Sequence, residues 1–277
     1  MLSKSSAALL LALGWCLMVP AGARADESLE PSPWRFSLAL GFGQYGTVLH
    51  DSKAQDLHVL PHWSYYGERF YLEDLDLGFN LVESKRWSLD LTTRQSFDAL
   101  LLRKDLDDAF LAGIADSPLP IPRRFDLGPL VRPGHRSLSY LGGLTLFWRH
   151  ENWQLSSAWH TDISNVHHGS EWETKARYLF RAGPVDLAVT GQVRRLDGDY
   201  SNYYFGVHED DINRLFTFKP GSQWLPSFKL EASYPLNDSD RLFFSWKREF
   251  LADDYEKSLF FKKLHHDVWF MGVSRTW

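Results

Sequence analysis

Cysteine is almost missing from this sequence. Cys16 is the single one, and it lies in an N-terminal stretch that reads as removable. Lys4 supplies a positive start, Ala7 to Val19 is a short apolar run, and Ala23-Arg24-Ala25 is a small-x-small cleavage site. Residues 1–25 are therefore expected to be a secretory signal peptide, with a mature chain beginning at Asp26. Cys16 sits inside the apolar run behind Trp15, a poor context for lipid attachment. Without it the mature chain has no disulfide, no thiolate nucleophile and no Cys-ligated metal.

Three further shortages narrow the classes. No other segment approaches the roughly 18 apolar residues of a transmembrane helix, so the exported product is either a soluble periplasmic protein or a β-barrel. There is no surplus of positive charge: the formal net charge is −5, and loss of Lys4 and Arg24 makes it more negative, which argues against a nucleic-acid partner. No Pro/Ser/Gly linker divides the middle of the chain, so residues 26–277 are expected to form one domain.

What is present is alternation. Trp34, Phe36, Leu38, Leu40 and Phe42 alternate with Arg35, Ser37, Ala39, Gly41 and Gly43. Trp153, Leu155 and Trp159 alternate with Gln154, Ser156, Ala158 and His160; Trp172, Ala176, Tyr178 and Phe180 with Glu173, Lys175, Arg177 and Arg181. The same period recurs around residues 87–92, 138–148, 185–194, 224–234 and 241–249. Period two with bulky apolar residues on one side and charged or small ones on the other is the signature of a transmembrane barrel strand. A soluble sandwich also alternates. However, 12 tryptophans, many near strand ends, suit aromatic girdles at two membrane interfaces. Charges of both signs on the other face suit a narrow lumen.

The last strand carries the same message. Trp269, Met271, Val273, Arg275 and Trp277 share one parity, and Val268, Phe270, Gly272, Ser274 and Thr276 the other. A soluble domain seldom ends on an apolar strand. A barrel does, because its last strand must pair with its first to abolish the edge. Trp269, Val273 and Trp277 are expected to close the barrel against Trp34 to Phe42.

Short connections at 83–85, 150–152, 182–184 and 237–240 alternate with long ones at 97–135, 196–223 and 251–265 and a medium one at 164–170. Short turns face the periplasm in outer-membrane barrels and long loops face outside. Residues 55–81 fit this alternation only as a net single downward pass. They are expected to form a hairpin projecting above the membrane, with the second arm descending through Leu77, Phe79 and Leu81, which makes about ten spanning strands. If both arms span, twelve is the alternative. Pro61 suits an edge or extramembrane position. Leu100 to Leu111 reads as a short amphipathic helix in a loop whose length suggests function or folding into the lumen.

At this point several stretches resemble a known family. Asp162-Ile163-Ser164-Asn165-Val166-His167-His168-Gly169 is similar to its D-x-S-x-x-H-x-G turn, and Tyr200-Ser201-Asn202-Tyr203-Tyr204-Phe205-Gly206-Val207 to its Y-x-x-Y-Y-F-G-V motif. Pro61-His62-Trp63-Ser64-Tyr65-Tyr66-Gly67-Glu68-Arg69-Phe70 resembles its early proline–aromatic segment. Together these resemble the MipA/OmpV family, the MltA-interacting proteins of the Gram-negative outer membrane. Lys257-Ser258-Leu259 departs from the family's usual Ser-Pro pair, and Arg275 from a common aromatic. The resemblance implies an outer-membrane barrel in contact with lipid. For some members it implies a scaffold role between a lytic transglycosylase and a peptidoglycan synthase, and for others adhesion. It implies no family-wide catalysis and no cofactor. The motif residues to locate are Asp162, His168, Gly169, Tyr200, Tyr203, Tyr204, Phe205 and Gly206.

Rival chemistries remain. His167-His168 and His265-His266 flank outer loops near Asp162 and Asp267, an arrangement that would resemble the omptin proteases if base and water came within reach. Adjacent histidines on a strand point to opposite faces, which disfavours a shared metal. A Ser–His lipid hydrolase would need both groups on the outer face, but Ser156 and His160 share the inward parity. The tyrosines could stack on sugar or peptide, or pack a loop against the rim within the aromatic belt, with Gly206 supplying a positive φ. Lys175, Arg177, Lys229, Glu231, Lys247 and Glu249 could line a narrow solute channel, or fill the lumen as an ion-paired plug. The expectation is therefore an all-β antiparallel transmembrane β-barrel with long extracellular loops, without catalytic, metal or cofactor site, acting as a scaffold or adhesin.

Overall fold

The computed structural model describes residues 34–50, 52–102, 134–209, 211, 217–258 and 260–277. The expected signal peptide, residues 1–25, and most of the expected amphipathic helix lie outside the described residues. The described part of that helix is a single turn, α1 (Asp98–Leu101).

Alternating residues fold here into twelve antiparallel strands that close on themselves. They are β1 (Trp34–Tyr45), β2 (Gln55–Tyr66), β3 (Phe70–Glu73), β4 (Asp76–Glu83), β5 (Trp87–Ser96), β6 (Ser139–His150), β7 (Trp153–Asp162), β8 (Ser170–Ala182), β9 (Val185–Leu196), β10 (Gln223–Pro235), β11 (Asp240–Phe250) and β12 (His265–Thr276). The alternative of twelve strands holds and the ten-strand count does not. Residues 55–81 make three passes: β2 runs one way, β3 returns, and β4 repeats the direction of β2. The turn at 67–69 therefore lies at the end of the short turns and does not project beyond the opposite one. The missed crossing is β3, four residues long, too short for a period of two to stand out.

The start of β1, the end of β12 and the short turns after β2, β4, β6, β8 and β10 share one rim of the barrel, while the connections that follow β1, β5, β7, β9 and β11 leave from the other. Closure runs through β1 and β12, with Leu40 opposite Val273 and Gln44 opposite Trp269. Beyond the last bridge, the Trp277 N–H donates to the Phe36 carbonyl at 2.9 Å. Outward faces carry exposed rings at both rims: Trp34, Trp87, Trp153 and Trp277 at the turn end, and Trp159, Trp172 and Trp224 at the loop end. Arg275 also faces outward, but the Trp277 ring lies 5.9 Å from its guanidinium and Asp240 is 3.6 Å away. It is held at the interface, where a lipid-facing cation is tolerated.

The thinnest part of the wall is the β2–β3 seam, where only Ser64–Tyr66 pair with Tyr71–Glu73. Asp74, at the β3–β4 turn in the left-handed region (φ 56°), finishes that seam. Its carboxylate accepts the Trp63 N–H at 3.0 Å and takes His62 Nδ1 at 3.0 Å. Its own N–H donates to the Trp63 carbonyl and its carbonyl accepts the Trp63 indole N–H. Two residues further on, Pro61 points its nitrogen the same way as Trp63, away from β1. An edge with no N–H to satisfy is a place proline can occupy in a sheet.

Asp74→Ala should destabilise the folded barrel by about 1–3 kcal/mol, because it strips the acceptor from buried donors. Asp74→Asn, which keeps an acceptor and tolerates the left-handed backbone, should cost less. Urea unfolding in lipid vesicles, followed by tryptophan fluorescence, measures both.

Candidate functional site: the plugged lumen

Most family-motif residues meet inside the loop end of the barrel. Asp197 closes β9 and caps α2 (Gly198–Phe205), accepting the Tyr200 N–H at 2.9 Å. The same carboxylate accepts from the Ser170 N–H and hydroxyl at 2.6 and 2.7 Å. The cap thus starts the helix, as an N-terminal Asp does, and also turns it back over β8. The helix then buries Tyr200, Tyr204 and Phe205 completely. They join Tyr45, Leu57, Leu60, Leu141, Leu196, Leu225 and Phe270, which point inward from six different strands. This apolar layer crosses the barrel. The tyrosines are therefore a plug in the lumen, not part of the lipid-facing belt.

Each hydroxyl in the plug has a partner, as burial requires. Tyr200 donates to Asp98 Oδ2 at 2.8 Å and lies 2.5 Å from Ser96 Oγ. Tyr204 donates to Ser139 Oγ at 2.9 Å and to the Ser137 carbonyl at 3.0 Å, and Tyr203 accepts the Ser137 N–H at 3.0 Å. Phe205 stacks on Tyr255 from the last long loop, with centroids 4.2 Å apart and planes at 10°. Gly206 does not serve a positive φ: its φ is −77°. It is required by close approach, since a Cβ there would come 2.4 Å from the Asn202 carbonyl oxygen.

The D-x-S-x-x-H-x-G turn packs against this helix. Asp162 accepts the N–H groups of Ser164, Val166, His167 and His168 at 2.7–2.9 Å. It organises the loop backbone and is not paired with a histidine side chain. His168 points to solvent with φ 58°. His167 points inward among the rings of Tyr200, Tyr203 and Tyr204. The Gly169 N–H donates to its Nδ1 at 2.9 Å, so Nε2 carries the proton and faces Ser139 Oγ at 3.1 Å. Gly169 leaves room for α2: a Cβ there would lie 2.3 Å from the Tyr200 nitrogen. The omptin-like pairing of Asp162 with His168 is not formed. Asp267 is held by Arg248 at 2.7 and 3.0 Å, with His265 Nε2 3.8 Å away as a second, looser partner, and His265 and His266 face opposite sides of β12.

Below the plug lies a layer of charge. Arg194 binds Asp98 (2.7 Å), Glu171 (2.8 Å) and Glu249 (3.2 Å) at once. Arg94 holds Glu171 and Glu173. Lys175 pairs with Glu173 at 3.1 Å, Arg177 and Lys229 with Glu231 at 3.0 and 2.8 Å, and Lys247 with Glu249 at 3.0 Å. The arginines reach acids on other elements, whereas Lys175, Lys229 and Lys247 each pair with an acid two residues away on the same strand. The central residue, Arg194, had no distinguishing mark in the sequence beyond its parity, because Asp98 and Glu249 are far from it along the chain.

Burial holds the His167 imidazole below its ordinary value of 6.5, against the opposing pull of Asp162, Asp197, Asp98 and Glu171. A histidine whose folded-state value is lowered contributes stability above 6.5 that is lost as pH falls below it, because the unfolded chain then binds the extra proton. Amide protection factors in 163–169 and α2, taken relative to the intrinsic exchange rate at each pH, should therefore fall on going from pH 8 to pH 5. His167→Phe should flatten that dependence. Arg194→Met should destabilise the barrel by about 3–5 kcal/mol in chemical unfolding, since it leaves buried carboxylates without their cation.

Several known proteins are similar to this chain. "Putative outer membrane protein YiaT" of Escherichia coli (strain K12) is 23% identical over 205 residues, 73% of this chain and 75% of the relative. Among solved structures, the NanC porin aligns over 87% of this chain and 98% of its own, with a TM-score of 0.44 and 7% identity. An outer membrane channel from Pseudomonas putida F1 aligns over 93% and 100%, with a TM-score of 0.35 and 8% identity. The sequence profile described as MltA-interacting protein MipA matches residues 38–277. This chain is an outer-membrane β-barrel that belongs to the MipA family.

Proposed function

We propose that this protein is a non-enzymatic scaffold of the cell envelope, an outer-membrane barrel that offers its surfaces to peptidoglycan-remodelling proteins. The family's description, MltA-interacting protein, names the kind of partner: a lytic transglycosylase, by what the family resemblance implies, with a peptidoglycan synthase as a second. The observation that carries the reading is the filled lumen. Tyr200, Tyr204 and Phe205 are fully buried in an apolar layer across the barrel, above ion pairs such as Arg194 with Asp98, Glu171 and Glu249. A barrel that invests its interior in rigidity rather than passage suits a platform better than a pore. The outer-loop residues Asp162 and His168 act through backbone geometry, so neither is set as a general base beside a nucleophile.

Chemical crosslinking in intact cells, followed by purification and mass spectrometry, should recover a lytic transglycosylase. In the same study, purified protein in a planar bilayer should pass no discrete single-channel current. Regular conductance steps from the wild-type protein, with no peptidoglycan-remodelling protein crosslinked, would sink the scaffold reading in favour of a solute channel.

A further inference from the structure

Three arginines on the strands turn outward, towards lipid: Arg195 on β9, Arg248 on β11 and Arg275 on β12. Two of them have an anion from the chain itself. Arg248 binds Asp267 at 2.7 and 3.0 Å, and Arg275 lies 3.6 Å from Asp240. Arg195 is exposed and has no carboxylate partner among the described residues. Its facing follows from its neighbours in the strand, since Arg194 and Leu196 are both buried in the lumen. The outward positions of β8, β9 and β10 carry no acid, because Glu171, Glu173, Asp186 and Glu231 all take the inward parity. Asp197, two residues further on, is spent on Ser170 and on the start of α2.

The unpaired cation also sits in a row of rings. Register puts Trp159 opposite Trp172, Trp172 opposite Arg195, and Arg195 opposite Trp224, so the row crosses β7 to β10 at one level. The Arg195 guanidinium lies 5.8 Å from the Trp224 ring centre, and the Trp172 and Trp224 rings meet edge to face at 6.1 Å. Trp172 donates its indole N–H to Ser157 Oγ at 2.9 Å. The indole N–H of Trp224 has no acceptor among the described residues, and its side chain is exposed. An aromatic row of this kind marks the headgroup level of a membrane, and the loop end of an outer-membrane barrel is the outer one.

We propose that Arg195 and Trp224 form a binding site for the phosphate of an acidic lipid in the outer leaflet. Arginine supplies a planar fork that matches phosphate. Lying against the Trp224 ring holds the guanidinium in place, and the neighbouring indole N–H adds a donor on the same face. At the edge of the hydrocarbon a charge pair is screened less than in bulk water, so the phosphate replaces the anion that the chain does not provide. The phosphate comes with acyl chains because the wall below Arg195 is apolar: Val193 follows on β9, then Gly191, where a Cβ would meet nothing within 4 Å. The site goes beyond the scaffold role and does not depend on it.

Native mass spectrometry of the full-length protein in detergent tests this, with diphosphoryl lipid A as probe and zwitterionic phosphatidylethanolamine as control. At equal concentrations the wild-type protein should retain more lipid A than phosphatidylethanolamine. Arg195→Gln should lower lipid A retention about fivefold, the effect of one basic residue at an anionic membrane surface, and leave the phosphatidylethanolamine signal unchanged. Arg195→Lys should keep part of the binding, and Trp224→Phe, which keeps a ring but loses the N–H, should weaken it. Arg275→Gln removes an outward arginine that is already engaged and should leave lipid A retention as it was. Heat-modifiable mobility on gels confirms that each variant is folded. Equal retention of the two lipids by the wild-type protein, or undiminished lipid A retention by folded Arg195→Gln, overturns the proposal. Should Arg195→Gln fail to fold, the wild-type comparison and Trp224→Phe still decide it. Crosslinking of a transglycosylase to Arg195→Gln in cells separates loss of this site from loss of the scaffold.

Discussion

The rest of the structure depends on one constraint: in hydrocarbon, every backbone N–H and C=O must find a partner within the protein. The pairing of Ser37–Tyr45 with Val268–Thr276 meets it by leaving neither end of the sheet free. The same constraint explains the chain's odder choices. Trp277 lies beyond the last bridged pair, yet its N–H is spent on the Phe36 carbonyl. Pro61 and Asp74 sit together at the one seam where pairing is short, the first bringing no donor and the second accepting donors that a longer β3 would have satisfied. A left-handed, non-glycine residue is strained, and such strain survives only where its surroundings fix it. Here four hydrogen bonds to His62 and Trp63 do so.

Closing the wall creates a second problem, because the inward parity is polar and the interior must be filled or flooded. Two materials fill it. Near the loop end the described parts of the connections that pack inward supply an apolar core, with α2 capped by Asp197 and tied to the 163–169 turn through Gly169 and His167. Below it, cations and anions from different strands neutralise one another around Arg194. Buried ion pairs gain little stability over apolar packing, but leaving one member unpaired is costly. They therefore fix which strands face one another more than they add to the total. The lumen is layered: an apolar plug, then an ion-paired belt.

Much of the wall was legible because its signal is local. Trp153 to Trp159 or Phe228 to Ala232 reveal strand and facing in a few residues, and loop lengths revealed which end was which. The strand count was not fully legible. β3, Phe70–Glu73, is too short to show a period, and its return crossing is set by the Asp74 turn, whose partners are on β2. The site was legible only as motifs. Tyr200 to Val207 stood out, but an exposed belt and a buried plug use the same rings. Only the inward turn at Asp197 distinguishes them. His168 stood out beside His167, yet the inward ring is that of His167, because the positive φ at residue 168 throws its side chain to solvent.

The sequence by itself determined that the chain is exported, that it crosses the membrane as alternating strands, and that its final strand must seal the barrel. Each of these rests on composition or on a period of two, which neighbours along the chain express without help. The tertiary structure alone decided that there are twelve strands, that the motif tyrosines fill the lumen, and that Arg194 gathers Asp98, Glu171 and Glu249 around itself. These are contacts between residues tens of positions apart, and only the curvature and register of a closed sheet bring them together.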